Sequence, residues 1–293
     1  RLNPSSMVKI MAALVALENG DLQDVVTVRR ETLDSIPIGT VSAGLRRDEE
    51  VTLKDLLSRE LGVAGEDLLE TELFLYPRMK AALLGAEEEF IASPRLDDLQ
   101  CVFGCLKGFL GAQGSESIPV MAVFNNEEVG SNTRQGADST FLTDVLERIS
   151  ALCGKTAEEH RAAVAQSFLV SADNAHAIHP NHPEFADSAN APVLGGGVVL
   201  KFNSSQRYTT DGISAAIFRK VCAKANVPVQ TYYNRADLPG GSTLGNISLA
   251  HVSVLSADIG LAQLAMHSCY ETSGTKDIAY LVRAMESFYG ASL

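Results

Sequence analysis

Among the 293 residues there is no run of about 18 uncharged apolar side chains, the length a membrane-spanning helix needs, so no membrane partner is expected. No two cysteines have the CxxC spacing, and the total of five (Cys101, Cys105, Cys153, Cys222, Cys269) is odd. Free thiols in a reducing, cytoplasmic compartment are the expectation. Basic residues are outnumbered: 24 Lys+Arg against 36 Asp+Glu leave a net charge of −12. That balance disfavours nucleic acid and anionic membrane as partners. No signal peptide precedes the body of the chain, which starts at Arg1 rather than Met; a fragment or a processed product is expected. Repeats and low-complexity tracts are lacking. Histidine is confined to positions 160, 176, 179, 182, 251 and 267, all in the second half.

What is present has the profile of a soluble globular protein, 46% hydrophobic and 20% charged. The length suits one large domain or two ordinary ones. Helices are predicted over 5–19, 51–61, 95–112, 141–154, 211–226 and 277–290, from apolar spacing and start and stop residues. Strands are predicted over 24–28, 70–77, 118–125, 167–173, 198–203 and 229–234. The run "IPVMAVFN" (118–125) reads as a strand buried on both faces. Strands alternating with helices imply an α/β layer architecture, with ligands gathering at the carboxyl ends of strands. The segment 174–197 is long and irregular, and Gly195–Gly197 reads as a flexible approach to the strand at 198.

Four pieces carry chemistry. Asp97 stands at a helix start, Glu127 and Glu128 stand side by side at a strand end, Asp173 ends another strand with His176 and His179 after it, and His267 interrupts an apolar run. Singly, each has a bland reading: a helix-dipole partner, a solvated pair, a core histidine. Together they are the donors that divalent cations take, and one carboxylate can bridge two ions roughly 3.5–4 Å apart. Alternation in an extended segment sends Glu127 and Glu128 to opposite sides, so that one can ligate metal while its neighbour faces a water.

"SPRLDDL", "NNEEVGS", "SADNAHAIHPN", "KFNSSQRYTT", "GGSTLGNI" and "DIGLAQLAMHS" follow one another between about residue 59 and residue 293. Their order resembles that of the M18 metallopeptidases, the aspartyl-aminopeptidase-like family. The resemblance implies a three-layer α/β/α zinc-peptidase-like sheet, with the amino-terminal part of the catalytic domain missing or replaced. It implies removal of amino-terminal residues, Asp or Glu among them, from peptides. In that family's terms Asp97 bridges two zinc ions, Glu128, Asp173 and His267 are terminal ligands, and Glu127 is the general base. His176, Lys201 and Tyr208 match positions that contact substrate or the developing oxyanion. Co2+ or Mn2+ are alternative metals. A cytoplasmic homo-oligomer acting on peptides is the implied setting.

The chain departs from the pattern in two places. Asn125 and Asn126 stand where the family often has Asp or His before the Glu pair. The family's further histidine, from an amino-terminal "HTDSP"-like motif, has no counterpart here. The resemblance implies a dinuclear zinc site, but the ion that uses this histidine would keep Asp97 and Asp173 only and bind weakly, leaving one zinc as the alternative, with His179 or His182 as the replacement ligand.

Residues 1–58 resemble an internal piece of D-alanyl-D-alanine carboxypeptidases, through "NPSSMVKIMAALVALENG" and "IPIGTVSAGLRRDEEVTLKDLL". In that family Ser6 would be the nucleophile and Lys9 its activator. Such a site also requires an S-x-N motif soon afterwards, where the chain instead turns into "SRELGVAGEDLLETELF", and a K-T-G motif, which does not occur; "GKT" (154–156) and "GTK" (274–276) are permuted. Ser6 is therefore read as a helix cap. The expected division is a 1–58 fragment and a 59–293 catalytic portion, joined near 54–60. Two further functions are carried as alternatives: a one-metal or metal-free binding or assembly protein, and a serine D,D-carboxypeptidase using Ser6.

Overall fold

The computed structural model describes residues 23–27, 48–70, 77–114, 116–238 and 240–292. The expected helix at 5–19, most of the expected strand at 70–77, and both Ser6 and Lys9 lie outside them. The chain divides into two compact units, Arg1–Tyr76 and Pro77–Leu293.

In the first unit β1 (Val25–Thr27) pairs antiparallel with β2 (Glu50–Thr52). Helix α1 (Leu53–Leu61) follows directly. Its start is legible: the Thr52 side chain accepts the Asp55 backbone N–H at 3.0 Å, and the Asp55 carboxylate accepts the Thr52 N–H at 3.3 Å, a reciprocal capping box. Gly62 stops it in the left-handed conformation, φ 69°. The boundary expected at 58/59 falls inside this helix, and the compact units part at Tyr76 instead.

The second unit contains β3 (Ala82–Leu84), β4 (Phe90–Ser93), α2 (Leu96–Gly111), α3 (Phe141–Leu152), α4 (Ala157–Ala165), β5 (Phe168–Ala172), β6 (Ala175–His176) and β7 (Val198–Phe202). Then come α5 (Gly212–Lys224), β8 (Val229–Tyr233), α6 (Leu244–Ser248), β9 (Leu255–Gly260), β10 (Ala262–Leu264), β11 (Glu271–Gly274) and α7 (Thr275–Tyr289). One sheet has the order β5-β9-β7-β8, the other β3-β4-β11-β10-β6. β5 runs parallel to β9 and β8 parallel to β7, while β7 meets β9 antiparallel. This is the mixed α/β architecture expected.

Alternation along β7 builds both sides of its sheet. Val198 and Leu200 join the main core with Cys101, Phe218, Cys222, Ile259, Leu281 and Met285, contributed by α2, α5, β9 and α7. Val199 points the other way, into a smaller cluster with Ala175, Tyr208, Tyr232 and Ala262. Cys101 and Cys105 are buried packing residues, as their spacing suggested.

α2 and α7 pack so closely that α2 has no room for side chains along one stripe. A Cβ on Gly108 would stand 2.4 Å from Met285 Cβ and 2.9 Å from the Glu286 backbone nitrogen. Gly108→Ala therefore forces the helices apart. Overpacking costs about 1–3 kcal/mol, partly offset by the ~1 kcal/mol alanine gains as a helix former. A net loss of stability in urea unfolding is the expected result; an unchanged midpoint would show that the helices separate freely.

The three-glycine segment has a definite partner. Asp277, fully buried in the first turn of α7, accepts the Gly195 N–H at 2.7 Å and the Gly197 N–H at 2.9 Å. Burial raises its carboxyl to about 6, against the pull of those two N–H groups. Between pH 4 and pH 6 the folded state therefore holds a proton that the unfolded chain gives up, and stability falls as pH rises through this window. The loss amounts to ~3 kcal/mol at most. Asp277→Asn removes this titration. The stability gap between wild type and variant, measured in urea at pH 4.5 and 6.5, should shrink at the higher pH.

One expectation fails outright. Residues 118–125 form no strand, and Ile118 is 84% and Val123 52% exposed. Only Met121 of this run packs on the main core. An apolar run has a tendency to be buried, but a strand also needs a neighbour for its backbone N–H and C=O groups. Among the described residues the run finds a single bridge at its end, Asn126 to Gly136.

Candidate metal centre

Asp97 enters the site where α2 begins irregularly. Asp97 (φ −84°, ψ 112°) and Asp98 (φ −114°, ψ 24°) are not helical, and a cis peptide joins them. Asp97 therefore lies outside the regular helix, by its own φ and ψ. Asp173 follows the end of β5, where its N–H donates to Ile259 O of β9 at 3.0 Å. The backbones are close enough there that a Cβ on Gly260 would stand 2.0 Å from Asp173 O. Glu127 and Glu128 occupy a turn, not the strand end expected, because among the described residues the run before them meets a partner only at its end, where the Asn125 and Asn126 N–H groups donate to Gln135 O. Ser131 Oγ donates to Glu127 O at 2.7 Å and braces that turn. His267 lies on the loop between β10 and β11, in the left-handed region at φ 65°.

Two donor groups result. Asp97, Glu128 and His267 each place one ligand atom within 4.8 Å of the others; His267 Nε2 lies 3.2 Å from Asp97 Oδ2 and 2.9 Å from Glu128 Oε2. Asp97, Asp98 and Asp173 form the second group. Two carboxylate oxygens with an imidazole nitrogen are donors that zinc accepts. Three carboxylates suit a harder cation better. Asp97 belongs to both groups, the place a bridging ligand would take.

The electrostatics point the same way. Burial, then Asp173 and Glu128, push Asp97 up to about 8. Burial and Asp173 raise Asp98 as well, against Cys101 and Lys201. One Asp98 oxygen is buried without a hydrogen-bond partner. Glu127 is lifted to about 7 by burial, Asp173 and Glu128, with Lys201 opposing. A crowd of carboxylates that resist ionisation together is what a divalent cation would relieve.

Glu127 joins neither donor group: Glu128 meets His267 and Glu127 stays free of it, in a turn rather than through the strand alternation expected. His176, on β6 opposite Gln263 of β10, remains at the site and open to solvent. Desolvation of its ring, with the charges of His267 and Lys201, lowers its pKa. Lys201 is 1% exposed and spends its ammonium on Asp173 O (2.8 Å), Asn174 O (3.0 Å) and Asp173 Oδ2 (3.3 Å), with the Tyr208 ring centroid 5.1 Å away. Burial alone would depress that ammonium; Asp173, Tyr208 and Asp258 hold its pKa raised. Tyr208 is buried beside it. The rings of His179 and His182 lie 5.3 Å apart, tilted at 37°, and neither enters a donor group among the described residues.

Sequence reasoning missed Asp98 and Glu271. Asp98 is signalled only by its adjacency to Asp97. Glu271, which accepts backbone N–H groups from both Asp97 and His267, carries no local signal beyond standing four residues after the histidine.

A family model described as aminopeptidase I zinc metalloprotease (M18) matches residues 19–289. That match crosses the 58/59 junction, so residues 19–58 gain no support from it as a carboxypeptidase piece. A probable M18 family aminopeptidase 2 of Clostridium novyi is 38% identical over 98% of this chain and 66% of its own length. Among solved structures, an M18-family aminopeptidase from Thermotoga maritima is similar with a TM-score of 0.74 and 26% identity, over 86% of this chain and 58% of that one. The dodecamer of S. cerevisiae mApe1 is similar with a TM-score of 0.70 and 27% identity, over 81% and 54%. The chain thus spans less than two thirds of these relatives' length.

Proposed function

The chain belongs to the M18 family of aminopeptidase I zinc metalloproteases, and on that premise we propose that it is a catalytic portion of a metallo-aminopeptidase, binding zinc through Asp97, Glu128 and His267. The observation that carries this reading is the meeting of those three side chains, from three distant parts of the chain, within 4.8 Å. Asp97, Asp98 and Asp173 offer a second position without a nitrogen donor, which favours one zinc per chain, with Mn2+ better suited than zinc to the second place.

When bound, the metal supplies polarisation of the scissile carbonyl and a water whose pKa is lowered toward ~7. Glu127 takes the proton from the attacking water and returns it to the leaving amine. Burial, Asp173 and Glu128 raise its pKa, and a cation bound beside it would oppose that rise. His176, open to solvent beside the site, donates to the carbonyl oxygen as charge develops there. Lys201 holds the Asp173–Asn174 corner in place, and through it Asp173. The substrate is a peptide with a free amino terminus, and acidic first residues are the preferred class. A homo-oligomer, as in the mApe1 dodecamer, and a cytoplasmic location complete the reading. Exposed Leu99, Phe103 and Leu110 along α2 support association.

A second reading is a one-metal binding or assembly protein, favoured by the nitrogen-free second group. Zinc stoichiometry by elemental analysis, paired with hydrolysis of an Asp- or Glu-anilide, separates them. Bound zinc with chelator-sensitive turnover supports the peptidase. One equivalent without turnover supports the binding protein, and no bound zinc ends both.

A further inference from the structure

Asp97 and His267 reach one another across most of the second unit, yet neither is held there by its own secondary structure. Asp97 sits in the irregular first turn of α2, and His267 on a loop in the left-handed region, which L residues adopt at a cost. One side chain touches both. Glu271, the first residue of β11 and 2% exposed, accepts the Asp97 N–H through Oε2 at 2.9 Å. It accepts the His267 N–H through Oε1 at 2.8 Å. The first bond closes a separation of 174 residues, the second a separation of 4. Among the described residues no Lys, Arg or His side chain is paired with Glu271.

We propose that Glu271 is a positioning residue of the metal centre: its two carboxylate oxygens clamp the backbones of Asp97 and His267 and so set the separation of the two ligand atoms. The register of β11 makes the clamp rigid. Glu271 pairs with Ser93 of β4, three residues before Leu96, while Ser273 and Thr272 pair with Gln263 and Leu264 of β10. The strand from which Glu271 projects is thus tied to both segments that carry the ligands. Only a carboxylate can serve, because both positions need an acceptor. An amide has one acceptor, and its NH2 group would face a backbone N–H. Groups that orient metal ligands from behind typically govern affinity by 10–100-fold.

The inference rests on the zinc reading given above, and the test keeps the two apart. The full chain is stripped with a chelator, and zinc is titrated against a chromophoric competitor for wild type, Glu271→Gln and Glu271→Asp. Glu271→Gln should bind zinc 10–100-fold more weakly at unchanged stoichiometry. Co2+ substituted for zinc should show a shifted visible absorption band, a readout of ligand geometry that a general loss of stability would not move. Glu271→Asp keeps the charge but, one methylene shorter, reaches only one N–H, and should fall between the other two; it decides the matter if Glu271→Gln does not fold. Equal affinity and an unshifted Co2+ spectrum in the folded variant would overturn the role of Glu271 while leaving the zinc site standing. A wild-type chain that binds no zinc would overturn the site itself, and this inference with it.

Discussion

Glu127→Gln is expected to cut turnover of the zinc-loaded chain by about 10²–10⁴-fold, the range a positioned general base contributes. Gln is the same size and keeps one acceptor, so the turn braced by Ser131 Oγ on the Glu127 carbonyl is undisturbed. What is lost is the ability to take a proton. The metal content should stay, because Glu127 gives no atom to either donor group. A small loss of cation affinity is expected from removing one negative charge beside Glu128, and it should vary with ionic strength. Steady-state kinetics on an Asp-anilide together with zinc analysis of the same sample is the measurement. Turnover within threefold of wild type would remove Glu127 from the chemistry; simultaneous loss of zinc and activity would make it a ligand instead of a base.

Asp97→Asn should have the larger effect on metal. Asp97 is the one side chain shared by both donor groups. Its Oδ2 lies 3.2 Å from His267 Nε2, and its Oδ1 accepts from Asn174 Nδ2 at 3.3 Å. An asparagine there is uncharged, and whichever way its amide turns, an NH2 group faces either the cation or the Asn174 amide. Zinc affinity should drop by more than the roughly 100-fold that loss of an orienting partner costs, and both positions should empty together. The metal-free protein should respond oppositely. With one acid fewer among Asp98, Glu128, Asp173 and Glu271, repulsion is relieved, and the melting temperature should rise above that of metal-free wild type. Zinc retained at one equivalent would show that Asp97 bridges nothing.

The helices were the most legible part of the fold. Apolar spacing placed α2 and α7 to within a residue or two, since a helix is stabilised by contacts three and four residues apart that the sequence shows directly. Short strands were harder. β9 to β11 were not anticipated, because three- to six-residue strands around a loop carry little periodicity. The run 118–125 shows the opposite error: its composition is that of a buried strand, but hydrogen-bond partners are a property of neighbours, and among the described residues no strand lies alongside it, only Gln135 O at its Asn125 end.

By itself, the sequence determined the kinds of donor and their order along the chain, and through that order the family. Asp97, Glu128, Asp173 and His267 were all readable, because carboxylates and imidazoles with no local structural need stand out at element ends. Tertiary structure alone decided how they divide. It sorted Glu127 from Glu128, brought Asp98 into a second group that lacks imidazole, turned Lys201 inward onto Asp173, and set the Glu271 carboxylate against the backbone N–H groups of Asp97 and His267 at once. The reason is physical: which atoms of distant segments come within a coordination shell depends on how strands and helices pack to within an ångström, and local pattern does not encode that distance.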